Sequence, residues 1–157
     1  MSFIHLRTAS SYSFKYGTTQ PHDLVARASE YEMPALALTD RDGLAGAIRF
    51  TKACVGYGIA PIIGINLAIV LEGSSYSDIS TRVTVLAHSN SGWRSLVRLL
   101  TGLQMNSADR TPVLTLELLE KFSNYTTNLH LLHGPESPVS QALAVHRFDE
   151  ALEIGRA

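Results

Sequence analysis

The chain has 157 residues, of which 45% are hydrophobic and 17% are charged, and its formal net charge is -1. This composition suits one ordinary domain with a buried core and excludes an intrinsically disordered chain. A chain without a basic excess lacks the overall signature of a nucleic-acid-binding module. Any contact with DNA must therefore come from a local patch or from residues outside this chain.

The single cysteine, Cys54, excludes an internal disulfide and suits a reducing environment. The first residues lack the apolar run of a signal peptide, and no stretch approaches the length of a membrane span. We therefore expect a cytoplasmic protein. Cys54 itself lies at core spacing on a predicted helix, so we expect a packed thiol.

The first 65 residues alternate between short apolar runs and helical patterns. The apolar runs at 3–6, 35–39 and 61–65 predict three strands. A helix is predicted from Pro21, and a second helix follows the turn at 40–43 with Leu44, Ile48, Thr51 and Val55 on one side. Strands that alternate with helices in this way predict an α/β fold with a parallel sheet.

The remainder of the chain is less regular. Further strands are predicted at 67–71, 83–87 and 129–132, and short helical segments at 116–122 and at the end of the chain. Ser89 or Ser91 can cap a longer helix, in which we expect Trp93 to anchor the core. Polar stretches at 72–81 and 106–112 predict a surface loop and a linker.

A closed barrel of alternating strands and helices needs about 200 to 250 residues. We therefore interpret residues 1–157 as a single domain that is an incomplete N-terminal piece of a longer chain. A small open α/β sheet, complete in itself, is the alternative.

The loops at the strand ends carry a family resemblance. The opening His5-Leu6-Arg7-Thr8-Ala9-Ser10-Ser11-Tyr12-Ser13 is similar to the start of PHP (polymerase and histidinol phosphatase) domains in bacterial DNA polymerase III alpha-like subunits. The resemblance continues through 34–40, 42–44 and 58–64, and through Gly92-Trp93 with the leucines that follow. It covers most of the chain and is strongest up to about residue 104.

The resemblance implies a distorted barrel in which mostly parallel strands alternate with helices. Active members of the family bind two or three metal ions, commonly zinc or manganese, and hydrolyse phosphate esters. In polymerases the domain is linked to proofreading or to structural support. DNA synthesis needs a palm domain, which these residues do not contain.

The chain departs from the family's ligand pattern already in its first half. In that pattern, two histidines separated by one residue follow the first strand, and here Arg7 and Ala9 stand in their places. After the second strand Asp40 is kept, but Arg41 replaces a histidine. Because its co-ligands are missing, we expect Asp40 to have a structural role as a turn former.

Two further ligand positions are also changed. Asn66 stands where the family has a glutamate, and Arg82 where it has a histidine. A later cysteine or histidine ligand would fall near Pro135. We therefore expect no metal, cofactor-binding or catalytic residues in this chain, and we interpret its histidines as surface or hydrogen-bonded residues.

Arginine occupies three of the changed positions. Carboxylates buried in a former metal site need positive charge, and a guanidinium group supplies it permanently. We predict that at least two of Arg7, Arg41 and Arg82 converge, with Asp40 or Asp42 as an ion-pair partner. Three solvated surface arginines are the alternative.

These changes favour a vestigial, non-catalytic PHP region that braces a polymerase core. Its expected partners are the remainder of the polymerase chain, other replication subunits such as a proofreading exonuclease, and DNA through the parent protein. The parent is expected to be a DNA-directed DNA polymerase, and this chain alone to be inactive. The alternatives are an active metal-dependent phosphoesterase or 3′–5′ exonuclease, and an interaction module with no polymerase attached.

Overall fold

A five-stranded mixed sheet organises this computed structural model, which describes residues 3–70, 81–107, 112–121 and 128–154. Its strands are β1 (Ala35–Arg41), β2 (Ala60–Val70), β3 (Arg82–Ala87), β4 (Val113–Thr115) and β5 (Leu129–Leu132). The strand order is β1-β2-β3-β5, and β4 also pairs with β2. The β1 and β4 strands run parallel to β2, whereas β3 runs antiparallel to β2 and to β5. The predicted α/β class and the parallel β1–β2 pair are confirmed.

Six helices lie in the described part of the chain. They are α1 (Pro21–Glu30), α2 (Ala47–Tyr57), α3 (Asn90–Asn106), α4 (Leu116–Lys121), α5 (Pro138–Ala144) and α6 (Phe148–Ile154). Of the two predicted caps of α3, Ser89 is the one used, and its hydroxyl accepts from the Gly92 N–H at 3.3 Å. The α2 helix ends at Gly58, whose φ of 70° is the left-handed conformation that glycine tolerates. No described helix is long and apolar enough to cross a membrane.

Two apolar clusters form the core. One lies between the sheet and α3 and includes Ile65, Leu67 and Leu96. The other lies beneath α1 and α2 and includes Phe50 and Cys54, both fully buried. The packed thiol predicted for Cys54 is confirmed.

The buried face of α2 differs from the predicted stripe. Ile48 and Val55 are 72% and 74% exposed, whereas Ala47, Phe50 and Cys54 are buried. Helical spacing identifies apolar stripes but does not say which stripe faces the core, and here the stripe with the larger Phe50 packs inward. Trp93 is half-buried and lines a groove beside α2, so its predicted role as a core anchor is wrong.

The predicted first strand at 3–6 is not a regular strand. The Ala37 N–H donates to the His5 carbonyl at 2.9 Å, and the Thr39 N–H donates to the Thr8 carbonyl at 2.8 Å. The two donors, Ala37 and Thr39, are two residues apart in the chain, whereas the two acceptors, His5 and Thr8, are three residues apart. The first segment therefore has one extra residue, which interrupts a regular ladder of hydrogen bonds along β1.

Other differences concern the extent of elements. The strands predicted at 61–65 and 67–71 form one continuous strand, β2. The α5 helix was not predicted as a separate element. The loop predicted at 72–81 lies outside the described residues except for its last position, and the linker predicted at 106–112 lies partly outside them.

Candidate functional site

A polar cavity of about 180 Å³ lies beside the end of β1, and we call it the cup. The residues that line it are Arg7, Ala9, Tyr16, Thr39, Arg41 and Asn66. Asn66 lies directly opposite Arg41 in the parallel β1–β2 register. Four of the positions that the sequence resemblance assigned to metal ligands therefore meet in one cavity.

Two arginines of the cup share one carboxylate. Arg7 Nη2 donates to Glu136 Oε2, and Arg41 Nη2 donates to Glu136 Oε1 at 3.0 Å. Both oxygens of Glu136 are therefore engaged by guanidinium groups. The predicted convergence of at least two arginines is confirmed, but their partner, Glu136, was not predicted. The only signal in the sequence was that Glu136 follows Pro135, near which the family pattern has a cysteine or histidine ligand.

The third arginine holds the strands beneath the cup. Arg82 Nη2 donates to Asp42 Oδ1 at 2.6 Å and to the Asn66 carbonyl at 2.8 Å, and its Nε donates to Asn66 Oδ1 at 2.5 Å. Its side chain is only 9% exposed. The backbone N–H of Arg82 also donates to the backbone carbonyl of Glu136 at 2.8 Å. This hydrogen bond connects Arg82 to the residue that pairs with Arg7 and Arg41. The predicted ion-pair role of Asp42 is thus confirmed.

Asp40 has a separate role. It is 2% exposed and accepts from the Ser10 N–H at 2.6 Å, from the Ser10 hydroxyl and from the Ser13 hydroxyl at 2.7 Å. The Ser13 oxygen in turn accepts from the Arg41 N–H at 2.9 Å. Asp40 therefore fixes the loop after the first segment to the end of β1, which is the structural role expected for it, and it is not an arginine partner.

Tyr16 completes the wall of the cup. The guanidinium carbon of Arg41 lies 3.5 Å from the centroid of the Tyr16 ring. The buried Nε of Arg41 has no hydrogen-bond partner among the described residues, and the negative face of the ring offsets part of that cost. Sequence reasoning did not single out Tyr16, because a contact between a loop ring and a strand-end cation depends on the fold.

The donor set of the cup does not fit a zinc or manganese cluster. Such metals need several imidazole, thiolate or carboxylate ligands. Within the described residues, no group of three or more histidine, cysteine, aspartate or glutamate side chains could hold a metal ion. The cup instead presents guanidinium groups, which keep their positive charge in proteins and repel a cation. The carboxylates of Asp40 and Glu136 are already occupied by hydrogen-bond donors.

The mixed sheet packs against helices and has a polar cup beside the end of β1, so the chain is an α/β domain with its candidate site at the strand ends. The chain belongs to the PHP domain family, whose model matches residues 5–156. It is 39% identical over 111 residues to an error-prone DNA polymerase of Corynebacterium efficiens, and this match covers 71% of the chain and 10% of that protein. It is 33% identical over 146 residues to the DNA polymerase III subunit alpha of Buchnera aphidicola, covering 90% of the chain and 12% of that protein. The resemblance to bacterial DNA polymerase III alpha-like proteins is confirmed.

The chain therefore spans about a tenth of the length of these polymerases. Among solved structures, an amidohydrolase from Chromobacterium violaceum matches with a TM-score of 0.51 and 22% identity. That match covers 65% of this chain and 33% of the amidohydrolase. At this level of identity the likeness concerns the fold alone.

Proposed function

We propose that this chain is a non-catalytic PHP region of a DNA polymerase III alpha-like protein, in which an arginine–carboxylate cluster stands in place of a metal cluster. The observation that carries the proposal is the pairing of Arg7 and Arg41, at two former ligand positions, with the same carboxylate of Glu136. On this proposal, residues 1–157 are an incomplete N-terminal piece of a longer, cytoplasmic polymerase chain.

The chemistry of the cup supports a non-catalytic role. In a metal-dependent phosphoesterase, the metal ions lower the pKa of a bound water and neutralise charge on the phosphoryl oxygens. A guanidinium group can neutralise charge, but it does not turn water into hydroxide at neutral pH. A cup lined by guanidinium groups, with no set of metal ligands among the described residues, therefore supports the proposal that no metal-bound hydroxide forms there.

The geometry of the cluster supports a bracing role. Glu136 lies 129 residues from Arg7 and 95 residues from Arg41 in the chain. Arg82 adds a link to Asp42, which is 40 residues away. These pairs join the first segment, the end of β1, the start of β3 and the turn after β5. We propose that this braced domain contacts the remainder of the polymerase chain and partner subunits such as a proofreading exonuclease.

Metal content and hydrolysis test the proposal together. The purified chain is incubated with manganese or zinc, desalted, analysed for bound metal, and assayed with a model phosphodiester. We expect no stoichiometric metal and no turnover above a buffer blank. The variant Arg41→His should behave in the same way, because one restored histidine lacks co-ligands. Stoichiometric metal and turnover that are both lost in Asp40→Ala would instead establish the active phosphoesterase or exonuclease alternative.

A further inference from the structure

A second concave surface lies apart from the cup, between the start of α1 and one face of α2. We call it the α1–α2 groove; its volume is about 580 Å³, and its walls include His22, Asp23, Arg49, Lys52 and Tyr57. None of its lining residues lines the cup. The bracing role proposed above makes no use of it.

The groove concentrates positive charge on a chain whose net charge is -1. Arg49 and Lys52 are exposed and lie about one turn apart on α2. Neither takes part in an ion pair with any residue that the structure describes. Asp23 supplies a carboxylate at the rim, and its Oδ1 lies 3.5 Å from Nδ1 of the exposed His22 ring. The first turn of α1 carries Asp23, whose carboxylate offsets the partial positive charge of the helix start, so Arg49 and Lys52 are the cations available to a ligand.

Exposed aromatic rings accompany these cations. Tyr57 is 41% exposed, and its ring centroid lies 5.5 Å from that of His22. The guanidinium carbon of Arg49 lies 5.9 Å from the centroid of the Tyr12 ring. The same loop carries Phe14, which is 84% exposed with the Lys15 ammonium group 5.4 Å from its ring centroid. Within the groove, the cations Arg49 and Lys52 therefore lie together with the rings of Tyr57 and His22.

We infer that the α1–α2 groove binds single-stranded DNA. In this arrangement Arg49 and Lys52 contact backbone phosphates, while the rings of Tyr57 and His22 stack on bases. Proteins that bind single strands without sequence preference combine a positive groove with aromatic stacking platforms in this way. A purely acidic chain such as polyglutamate would use the two cations but has no planar group to stack on the rings, whereas a nucleic acid would use both. The choice of DNA as the polyanion rests on the proposed polymerase context.

Fluorescence anisotropy with the purified chain and a labelled oligothymidylate of about 12 nucleotides, a length within the site sizes of single-strand binders, tests this inference. The double variant Arg49→Gln/Lys52→Gln should weaken binding about tenfold or more at low salt. It should also reduce the slope of log affinity against log salt by about 1.4, since each lost phosphate contact on a single strand removes about 0.7. The control is Arg94→Gln/Arg147→Gln, which removes the same charge from exposed positions outside the groove. It should change the slope by less than half as much.

Stacking is tested separately at Tyr57. Tyr57→Ala should weaken binding about fivefold or more, whereas Tyr57→Phe, which keeps the ring, should bind like the parent chain. Thermal melting of every variant ensures that a loss of binding is not a loss of folding. Equal weakening by both double variants, or no binding by the parent chain, would overturn the inference. So would binding of polyglutamate, and not of DNA, through Arg49 and Lys52. None of these results bears on the metal content that tests the proposed function.

Discussion

Glu136 is the side chain on which the bracing role of the cup depends most directly. Replacing it with glutamine keeps its size but removes the charge shared by Arg7 and Arg41. The two guanidinium groups would then face each other without a counter-charge. We therefore expect Glu136→Gln to lower the free energy of unfolding by more than the loss of an ordinary surface ion pair.

The exposure of the three side chains sets the magnitude. Exposed ion pairs contribute about 0.2 to 1 kcal/mol, whereas removing one partner of a buried pair costs about 3 to 5 kcal/mol. Arg7, Arg41 and Glu136 are 31%, 25% and 36% exposed, which lies between these cases. We expect a loss of about 2 kcal/mol, and a Tm lowered by about 4 to 8 °C for a domain of this size.

Urea unfolding at neutral pH measures this loss, and Glu30→Gln is its control. Glu30 pairs with Arg27 on the surface of α1, where the two side chains are 60% and 65% exposed, so its replacement should cost less than about 0.5 kcal/mol. A second substitution separates charge from shape. The double variant Arg7→Gln/Glu136→Gln should be more stable than Glu136→Gln alone, because it removes the repulsion. Equal small losses for Glu136→Gln and Glu30→Gln would refute the bracing argument.

Three further substitutions test the packing of the core and of α2. Burial raises the pKa of the Cys54 thiol from 9.0 to about 11. Between these two pH values, the thiol of the folded chain keeps its proton, whereas that of the unfolded chain releases it. Stability should therefore fall as the pH rises from about 9 to about 11, and Cys54→Ala should lack this decrease in urea titrations across the window. In Gly46→Ala, the new Cβ would lie 2.8 Å from Asp40 Oδ2 and 3.0 Å from the Tyr12 ring, which should cost about 1 to 3 kcal/mol by thermal unfolding. Gly56→Ala, with no neighbouring atom within 4 Å of the new Cβ, should instead stabilise α2 by up to about 1 kcal/mol; equal effects at the two glycines would contradict this reasoning.

The sequence predicted those features that depend on local pattern. Buried parallel strands appear as continuous apolar runs, which is why β1 and the start of β2 could be located. The departures at Arg7 and Arg41 could be seen because they fall in segments that closely resemble the family. The buried face of α2 was not predictable, since Ile48 and Phe50 belong to competing apolar stripes of one helix. Glu136 was not predictable either, because its two partners are remote in sequence and only the fold brings them together.

On the proposed function, arginine–carboxylate pairs balance the charges that metal ions balance in active members of the family. Arg7, Arg41 and Arg82, in and beneath the cup, carry a formal charge of +3, and the carboxylates of Asp40, Asp42 and Glu136 around it carry -3, so these formal charges cancel without a metal. Replacing Arg82 with a neutral histidine would remove the ion-pair partner of Asp42, and a histidine at any one of the three positions would still supply too few ligands for a metal. On the proposed function, metal binding would therefore require several simultaneous changes. On the proposed function, the arginine cluster is a self-consistent alternative to a metal site, and the cup keeps its shape without metal chemistry.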